Sequence, residues 1–305
     1  MSNVAVLMST YNGQTYIREQ IDCILSQKDV EVQLFIRDDG SSDDTVSIVK
    51  EYTEKYPNVH FYQGENLGVG SSFMDLAYHV NTDYDYYAFA DQDDNWLPEK
   101  LSTGVAKLQG KEGPVLYCSN QILVDKDETR MGMRHEKPLD CSWMQIMCNN
   151  KISGCTMVWN KELQKILIEP SRRPTPELLR IRIHDVWVGM VAATVGKIIY
   201  DENGYILYRQ HENNVVGVRE TSHLEEYKKK LKKKHLRRGR STLAGMIAKN
   251  YSDLLEPELL KRLSKYGNYR RSPIQRLGMF GEKEIYRHTG ESAMAYRAKV
   301  LLGLF

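Results

Sequence analysis

The sequence predicts an α/β fold in which a mostly parallel, Rossmann-like sheet is flanked by helices. Short apolar runs alternate with amphipathic segments along the N-terminal third, and polar clusters follow several of those runs. This strand, loop, helix order is typical of parallel sheets, because each parallel crossover needs a connecting element. A chain of 305 residues is long enough for one large domain or for a domain with an extension.

Four strands and four helices are expected in the N-terminal third. The predicted strands are the apolar runs at residues 4–8, 32–36, 59–62 and 84–89. The predicted helices cover residues 14–27, 46–52, 72–80 and 98–107. Ile17, Ile21 and Leu25 recur at the spacing of one helical face, which supports the first of them. Pro98 suits the first turn of the last.

The second half is less regular. Strands are expected at residues 115–119, 152–159, 197–200 and 205–209. Helices are expected at residues 141–148, 160–168 and 184–195. Asn160 is a suitable N-cap for the second of these helices. Prolines at 170, 174 and 176 predict a break before the third.

Composition limits the classes of function. A net charge of +2 gives no field that would favour nucleic acid, so no nucleic-acid partner is expected. The five cysteines form no Cys-x-x-Cys pair, which favours free thiols over a zinc site or a disulfide framework. The start of the chain lacks the charge pattern of a signal peptide, and no apolar run is long enough to span a bilayer. A cytoplasmic protein is expected.

Polar residues gather at the ends of three predicted strands, at residues 9–12, 38–43 and 91–94. In parallel sheets, ligands bind at the carboxyl ends of strands, near the point where strand order reverses. Asp91, Asp93 and Asp94 fall within four residues, and carboxylates this close repel each other unless a cation lies between them. Hard divalent ions such as Mg²⁺ or Mn²⁺ prefer such oxygen ligands. An acidic, solvated turn explains the cluster equally well when it is taken alone.

A basic stretch at residues 225–240 contains nine lysines and arginines, with leucines and a tyrosine at helical spacing. One solvated helix face is the ordinary explanation. A basic amphipathic helix is also suited to an anionic membrane surface. The segment from residue 276 to 305 is predicted to be helical, and its apolar end either docks on the core or enters an interface.

Residues 3–217 resemble the family 2 glycosyltransferases, which are inverting enzymes with the GT-A fold. Residues 9–13 (Ser-Thr-Tyr-Asn-Gly) and 37–43 (Arg-Asp-Asp-Gly-Ser-Ser-Asp) are similar to the family's nucleotide loops. Residues 91–94 are similar to its metal-binding DxD motif, and His184-Asp185-Val186-Trp187 to the element with its catalytic base. Residues 153–157 and 208–214 resemble bacterial rhamnosyltransferases that build cell-surface polysaccharide. Val186-Trp187 departs from the commoner Trp-Trp or Trp-Tyr, which leaves the choice of sugar or acceptor open.

The resemblance implies roles for individual residues. Asp185 is the expected catalytic base, and Asp91, Asp93 and His211 are the expected ligands of Mg²⁺ or Mn²⁺. The expected nucleotide-sugar contacts are Ser9, Thr10, Tyr11, Asn12, Asp38, Asp39, Asp91, Gln92, Gly154, His184 and Arg209. The expected domains are a catalytic domain at 1–217, whose nucleotide part ends near 110 and whose acceptor part follows it, and a basic, mainly helical region at 218–305.

The predicted activity is metal-dependent, inverting transfer of L-rhamnose from dTDP-L-rhamnose to a hydroxyl of a lipid-linked or growing polysaccharide. The enzyme is expected at the inner face of the cell membrane, bound through its basic helix, with its oligomeric state open. A UDP-hexose-dependent transferase of the same fold is the first alternative. A sugar nucleotidyltransferase fits less well, because residues 9–13 lack a basic phosphate contact. A receiver-like binding module leaves residues 91–94 and Asp185 unexplained.

Overall fold

The computed structural model describes residues 1–125, 129–209 and 238–305. Its strands are β1 (Ser2–Thr10), β2 (Val30–Asp38), β3 (Val59–Gln63), β4 (Tyr86–Ala90), β5 (Asn95–Trp96), β6 (Val115–Val124), β7 (Arg130–Met133), β8 (Val158–Asn160) and β9 (Lys197–Arg209). Its first eight helices are α1 (Ile17–Leu25), α2 (Thr45–Lys55), α3 (Val69–His79), α4 (Lys100–Leu108), α5 (Trp143–Asn149), α6 (Lys161–Ile168), α7 (Pro176–Leu179) and α8 (His184–Val195). The C-terminal helices are α9 (Gly239–Asn250), α10 (Pro257–Asn268), α11 (Pro273–Gly278), α12 (Lys283–Thr289) and α13 (Ala293–Leu301).

The strands form one sheet in the order β3-β2-β1-β4-β8-β6-β9-β5, with β7 beside β6. Strands β3, β2, β1 and β4 are parallel, and β6 and β9 form a second, longer parallel pair. Strand β8 runs antiparallel to both of its neighbours and joins the two parallel groups. Strand order reverses between β1 and β4, so the carboxyl ends of β1, β2 and β4 meet at the edge where a ligand is expected.

Alternating side chains of β1 explain why both faces of the sheet are covered. Ala5 and Leu7 point into one hydrophobic cluster, whereas Val4, Val6 and Met8 point into the other, and all five are fully buried. Helices α1, α2 and α4 contribute to the second cluster, and α3, α5, α6 and α8 contribute to the first. The apolar run of β1 therefore belongs to a strand buried on both faces, as predicted.

The C-terminal helices share the first hydrophobic cluster with the sheet. Leu243 and Ile247 of α9, Tyr266 of α10 and Val300 of α13 are fully buried in it, together with Trp187 of α8. Burial of side chains of this size is worth about 1.5–3 kcal/mol each. The helical prediction for residues 276–305 is confirmed, and this segment docks on the core.

Three predicted elements differ from the structure. Residues 152–159 were expected as one strand, but a short 3₁₀ helix, Gly154–Thr156, precedes β8. The backbone turns there because the Ser153 and Gly154 carbonyls accept from Thr156 and Met157. The strands predicted at 197–200 and 205–209 are one strand, β9, whose pairing with β6 shifts register after Asp201. Most of the predicted basic helix lies outside the described residues, and none of the described helices is long and apolar enough to cross a bilayer.

Candidate active site

The loops after β1 and β2 are joined through the carboxylate of Asp38. This fully buried side chain accepts from the backbone amides of Gly40 and Ser41 at 3.0 and 2.9 Å, and from the Thr10 hydroxyl at 3.2 Å. Asn12 completes the junction, since its side-chain oxygen accepts from the Ser42 amide at 2.8 Å. Asp38 and Thr10 therefore set the shape of the loops, while Asn12 remains exposed at their rim.

Asp39 is held by the guanidinium of Arg37 and by two backbone amides. The Arg37–Asp39 ion pair is 2.5 Å long, and both side chains are almost completely buried. Asp39 also accepts from the amides of Leu67 and Gly68 at 2.9 Å each. Arg37 bonds in addition to Asp75, so it is a structural cation beneath the loop and not a phosphate clamp.

Gln92 ties the loop after β4 to the loop after β1. Its side-chain oxygen accepts from the Tyr11 amide at 2.8 Å, and its side-chain nitrogen donates to the Tyr11 carbonyl at 3.0 Å. A Cβ at Gly13 would lie 2.3 Å from the Gln92 oxygen, so a larger residue there would break the bridge. The Tyr11 ring is 49% exposed and faces the loop edge that the bridge fixes. Ser9 lies deeper, where its hydroxyl pairs with that of Ser72 at 2.6 Å.

Asp91, Asp94 and Cys155 form a compact acidic cluster. One ligand atom of each lies within 4.8 Å of the other two. Asp94 is almost completely buried, and one of its oxygens has no hydrogen-bond partner within the described part of the chain. Burial, followed by repulsion from Asp93, raises the pKa of Asp91 to about 7, and burial also raises the pKa of Asp94 well above its ordinary value. Two neighbouring carboxylates with raised pKa values, of which Asp94 has the unpartnered oxygen, are suited to a divalent cation.

Cys155 is a weaker candidate ligand than the two carboxylates. Burial followed by the charges of Asp94 and Asp91 raises its thiol pKa well above the ordinary value, so the thiol keeps its proton. A protonated thiol is a donor, and its hydrogen bonding with Asp91 lowers the pKa of that carboxylate. Gln121 donates to the sulfur at 3.3 Å. The oxygen atoms of Asp91 and Asp94 are therefore the hard ligands of the cluster.

Lys100 lies beneath the acidic cluster. It is 1% exposed, and its ammonium is 3.4 Å from the centroid of the Trp96 ring, with no hydrogen-bond partner among the described residues. Burial lowers its pKa to about 7, although Cys155 and Asp94 act to raise it. The acidic cluster thus has a nearby basic side chain, Lys100, but its nitrogen lies against the Trp96 ring.

His184 is buried between aromatic rings. It stacks on Phe73 at a centroid distance of 3.9 Å and meets Phe89 edge-on at 4.9 Å. Burial lowers its pKa to about 3, so the ring is neutral, and neither ring nitrogen has a partner among the described residues. A Cβ at Gly154 would lie 2.4 Å from the Nε2 atom. The glycine at 154 therefore makes room for the histidine.

Asp185 begins helix α8 close to the acidic cluster. Its Oδ1 accepts from the Val186 amide at 2.6 Å, which orients the carboxylate at the helix N-terminus. A helix N-terminus favours the charged form, but burial outweighs that effect and raises the pKa of Asp185 to about 6. The charge of Asp185 also raises the pKa of Asp91, so the two carboxylates share one electrostatic environment.

Arg134, which follows β7, is the cation common to both carboxylates. Its charge acts to lower the pKa of Asp91 and that of Asp185. Its guanidinium donates to the Gln121 side chain at 2.6 Å and to the Ser153 hydroxyl at 2.7 Å. These bonds hold the guanidinium at the acidic site. The sequence offered no signal for this residue, because it belongs to an irregular connection with no motif.

The predicted site residues fall into two groups. Asp91, Gly154, His184 and Asp185 surround the acidic cluster, with Asp93 close enough that its charge raises the pKa of Asp91. Ser9, Thr10, Tyr11, Asn12, Asp38, Asp39 and Gln92 form the adjoining loops. Arg209, at the end of β9, forms an ion pair of 2.5 Å with Glu19, which also accepts from the Asn95 side chain at 2.8 Å. His211 lies outside the described residues. Asp94 was predicted as part of the acidic cluster but not as a metal ligand, and Cys155 and Arg134 were not predicted as site residues.

Comparison with known proteins identifies the family. The model of "Glycosyl transferase family 2" matches residues 5–166, more than half of the chain. The chain belongs to glycosyltransferase family 2. A dTDP-rhamnosyl transferase of Shigella flexneri, RfbG, is 32% identical over 228 residues, which cover 69% of this chain and 73% of that protein. An uncharacterized glycosyltransferase of Rickettsia typhi, RT0329, is 27% identical over 233 residues, which cover 73% of this chain and 69% of that protein.

Solved structures show the same fold as this glycosyltransferase. A crystal structure of S. aureus TarS has a TM-score of 0.58 at 17% identity, and the match covers all of this chain and 89% of the TarS chain. The mannosyltransferase PcManGT of Pyrobaculum calidifontis, in complex with GDP-Man and Mn²⁺, has a TM-score of 0.51 at 16% identity, covering 97% of this chain and 74% of its own. The predicted GT-A fold is confirmed, and the prediction of a glycosyltransferase is confirmed by the family.

Proposed function

We propose that this glycosyltransferase is a metal-dependent, inverting rhamnosyltransferase that uses dTDP-L-rhamnose and extends a lipid-linked or growing surface polysaccharide. The observation that carries the chemistry is the shared environment of Asp185, whose pKa is raised by burial to about 6, and the acidic cluster of Asp91 and Asp94. The sugar is inferred from the 32% identity with a dTDP-rhamnosyl transferase.

Asp91 and Asp94 are the residues that would hold the divalent ion, with Asp93 beside them. The fit rests on the unpartnered oxygen of Asp94 and on the raised pKa values of Asp91 and Asp94. A bound cation would lower both pKa values again. Mg²⁺ and Mn²⁺ suit these oxygen ligands, and the diphosphate of the donor would complete the shell. When bound, the ion would neutralise the negative charge that develops on the departing nucleoside diphosphate.

Asp185 is placed to act as the general base. The acceptor hydroxyl loses its proton to the carboxylate while its oxygen forms a bond to C1 of the sugar, and the C1–O bond to the nucleoside diphosphate breaks on the opposite face. The configuration at C1 is therefore inverted. A pKa near 6 leaves most of Asp185 ionised at neutral pH and keeps it basic enough to accept the proton. Arg134 lies where it can balance the charge of Asp185 and Asp91.

The nucleotide is proposed to bind at the loops joined by Asp38 and Gln92. The exposed ring of Tyr11 offers a stacking surface for the base, and Asn12 offers a side-chain amide at the rim. Asp38 and Asp39 act mainly by fixing the loop backbones, because their oxygens already accept from loop amides. Arg209 is proposed to position α1 through Glu19.

The remaining proposals concern architecture and location. We propose a catalytic domain at residues 1–217 and a basic, mainly helical region at 218–305, which meet in the shared hydrophobic cluster. The enzyme is proposed to work at the cytoplasmic face of the membrane, where a lipid-linked acceptor would be presented. The lysines and arginines of the stretch at 225–240 would add attraction to anionic lipid.

The test is a donor screen followed by a transfer assay. Thermal shifts are measured with Mn²⁺ and dTDP-L-rhamnose, UDP-hexoses or GDP-mannose, and release of nucleoside diphosphate and the anomeric configuration of the product are then followed. We expect stabilisation by dTDP-L-rhamnose and an inverted product. Stabilisation by a UDP-hexose alone would refute the donor, and full turnover in chelator or in the Asp91→Ala, Asp94→Ala variant would refute the metal site.

A further inference from the structure

An open cavity of about 450 Å³ lies among the C-terminal helices, away from the residues of the acidic cluster. Four arginines line it, together with Asn268 and Leu302. The arginines are Arg238, Arg270, Arg271 and Arg276. We call these four residues and their cavity the arginine pocket. Arg238 precedes α9, two of the others follow α10, and the fourth lies on α11, so the tertiary fold brings separate cations together.

The cations of the arginine pocket lack carboxylate partners among the described residues. Other basic side chains of the same helices have them: Arg240 pairs with Glu291 at 3.1 Å and Lys265 with Glu282 at 2.5 Å. Arg276 donates to the Leu301 carbonyl at 3.0 Å, and its buried Nε has no partner in the part of the chain that the structure describes. Like charges gathered around one cavity are unfavourable unless an anion is bound.

Exposed aliphatic side chains adjoin the arginine pocket. Leu302 lines the cavity and is 70% exposed, and Leu301, whose carbonyl binds Arg276, is 51% exposed. Ile274 and Leu277 of α11, the helix that carries Arg276, are 81% and 57% exposed. Side chains of this kind are mostly buried in soluble domains. A soluble phosphate compound would bind the arginines but would leave these side chains in water, whereas a lipid surface satisfies both.

The pocket is also connected to the catalytic site through the start of α9. A Cβ at Gly239, the residue after Arg238, would lie 3.1 Å from Nε of Arg182. The charge of Arg182 in turn acts to lower the pKa of Asp185. Arg182 therefore lies between the start of α9 and the proposed base. A lipid surface at the pocket would suit a lipid-linked acceptor, and this link rests on the proposed function.

We propose that the arginine pocket binds the phosphate of an anionic phospholipid headgroup, while Leu301, Leu302, Ile274 and Leu277 enter the interface. Apart from Arg238, the pocket is separate from the basic stretch at 225–240, which the sequence alone suggests for membrane contact. The two contacts make different predictions, because binding at the pocket depends on Arg270 and Arg271, which lie outside the basic stretch.

The test is co-sedimentation of the full chain with vesicles of phosphatidylglycerol and phosphatidylcholine. The double variant Arg270→Gln, Arg271→Gln is expected to bind these vesicles roughly 30-fold more weakly, because each charge lost near an anionic surface weakens binding about fivefold. Leu301→Gln with Leu302→Gln is expected to weaken it several-fold at unchanged charge. All four side chains are exposed, so these variants should fold. The charge-matched control is Lys111→Gln with Arg130→Gln, and the apolar control is Met131→Gln, all at exposed positions outside the C-terminal helices.

Several outcomes decide the proposal. The proposal is overturned if the arginine variant binds the vesicles as tightly as the charge-matched control. It is also overturned if the wild type binds vesicles of phosphatidylcholine alone as tightly as those that contain phosphatidylglycerol. Sensitivity to the arginines but not to the leucines would reject insertion. Thermal stabilisation by inorganic phosphate that the arginine variant loses, with no binding to vesicles, would assign the pocket to a soluble anion instead. Donor cleavage without vesicles is measured in parallel, so that loss of the transferase activity is distinguished from loss of membrane binding.

Discussion

Replacement of Asp185 by asparagine is expected to abolish transfer and to stabilise the protein. General-base catalysis contributes about 10²–10⁴-fold to a rate, so kcat should fall by that factor, with donor binding kept. The wild-type rate should also fall about tenfold for each pH unit below 6, since burial raises the pKa of Asp185 to about 6 and the protonated form is no base. Single-turnover release of nucleoside diphosphate at pH 4.5 to 8 measures both effects.

The gain in stability follows from the same burial. The unfolded chain releases the Asp185 proton near pH 3.8 and the folded chain near 6, so the free energy of unfolding of the wild type falls as the pH rises through this range. The difference of about two pKa units corresponds to about 2–3 kcal/mol above pH 6. Asp185→Asn removes this cost while keeping the oxygen that accepts from Val186. At pH 8 in chelator, Tm should rise by roughly 4–6 °C, and at pH 4 by almost nothing.

Glu177→Gln is the matched control for Asp185→Asn. Glu177 also lies in the first turn of a helix, but its backbone and Thr175 hydrogen bonds lower its pKa, and its side chain is exposed. Its replacement removes the same charge and should neither raise Tm nor change kcat. The reasoning about Asp185 is refuted by a variant that keeps more than a tenth of the wild-type rate, by a rate independent of pH below 6, or by a lower Tm at pH 8.

Three further substitutions test the surroundings of the site. Asp91→Asn should raise Tm in chelator at pH 8, because burial raises the pKa of Asp91 to about 7, and Mn²⁺ should then stabilise the wild type but not the variant; equal Mn²⁺ responses would argue against a metal ligand. Gly154→Ala should cost about 1–3 kcal/mol in denaturant unfolding, because its Cβ would lie 2.4 Å from the packed ring of His184, and an unchanged midpoint would contradict that contact. Arg37→Met should lower the free energy of unfolding by about 3–5 kcal/mol, because it leaves the buried carboxylate of Asp39 without its cation. A loss below about 1 kcal/mol would show that the amides of Leu67 and Gly68 are enough to stabilise that carboxylate.

The parallel half of the fold could be predicted from periodicity because its strands are buried on both faces and its helices are amphipathic. The polar ends of β1, β2 and β4 then had to meet at one edge, since parallel strands share a direction, and the sheet register places Thr10 beside Asp38. The second half lacked such regularity. Gly154, the first residue of the 3₁₀ turn, packs against the ring of His184, a contact between distant residues that no local pattern reports.

The composition of the acidic cluster could be predicted only in part. Asp91 and Asp93 were the predicted carboxylate ligands, but β4 ends at Ala90 and the chain bends before Asp94. The structure instead groups Asp94 with Asp91 around the thiol of Cys155, which lies far away in sequence. Tertiary contacts of this kind, like the position of Arg134 between two carboxylates, leave no signature in a single sequence.

The site is built from charges that the fold disfavours. Burial raises the pKa of Asp91, Asp94 and Asp185, and it lowers the pKa of Lys100, so each ionised group costs free energy that the hydrophobic clusters offset. A bound divalent cation would relieve the repulsion among these carboxylates, and the diphosphate of the donor would then bind to that cation. Ligand binding and folding stability are then linked, and donor should stabilise the protein more in the presence of Mn²⁺ than the separate effects of donor and metal predict.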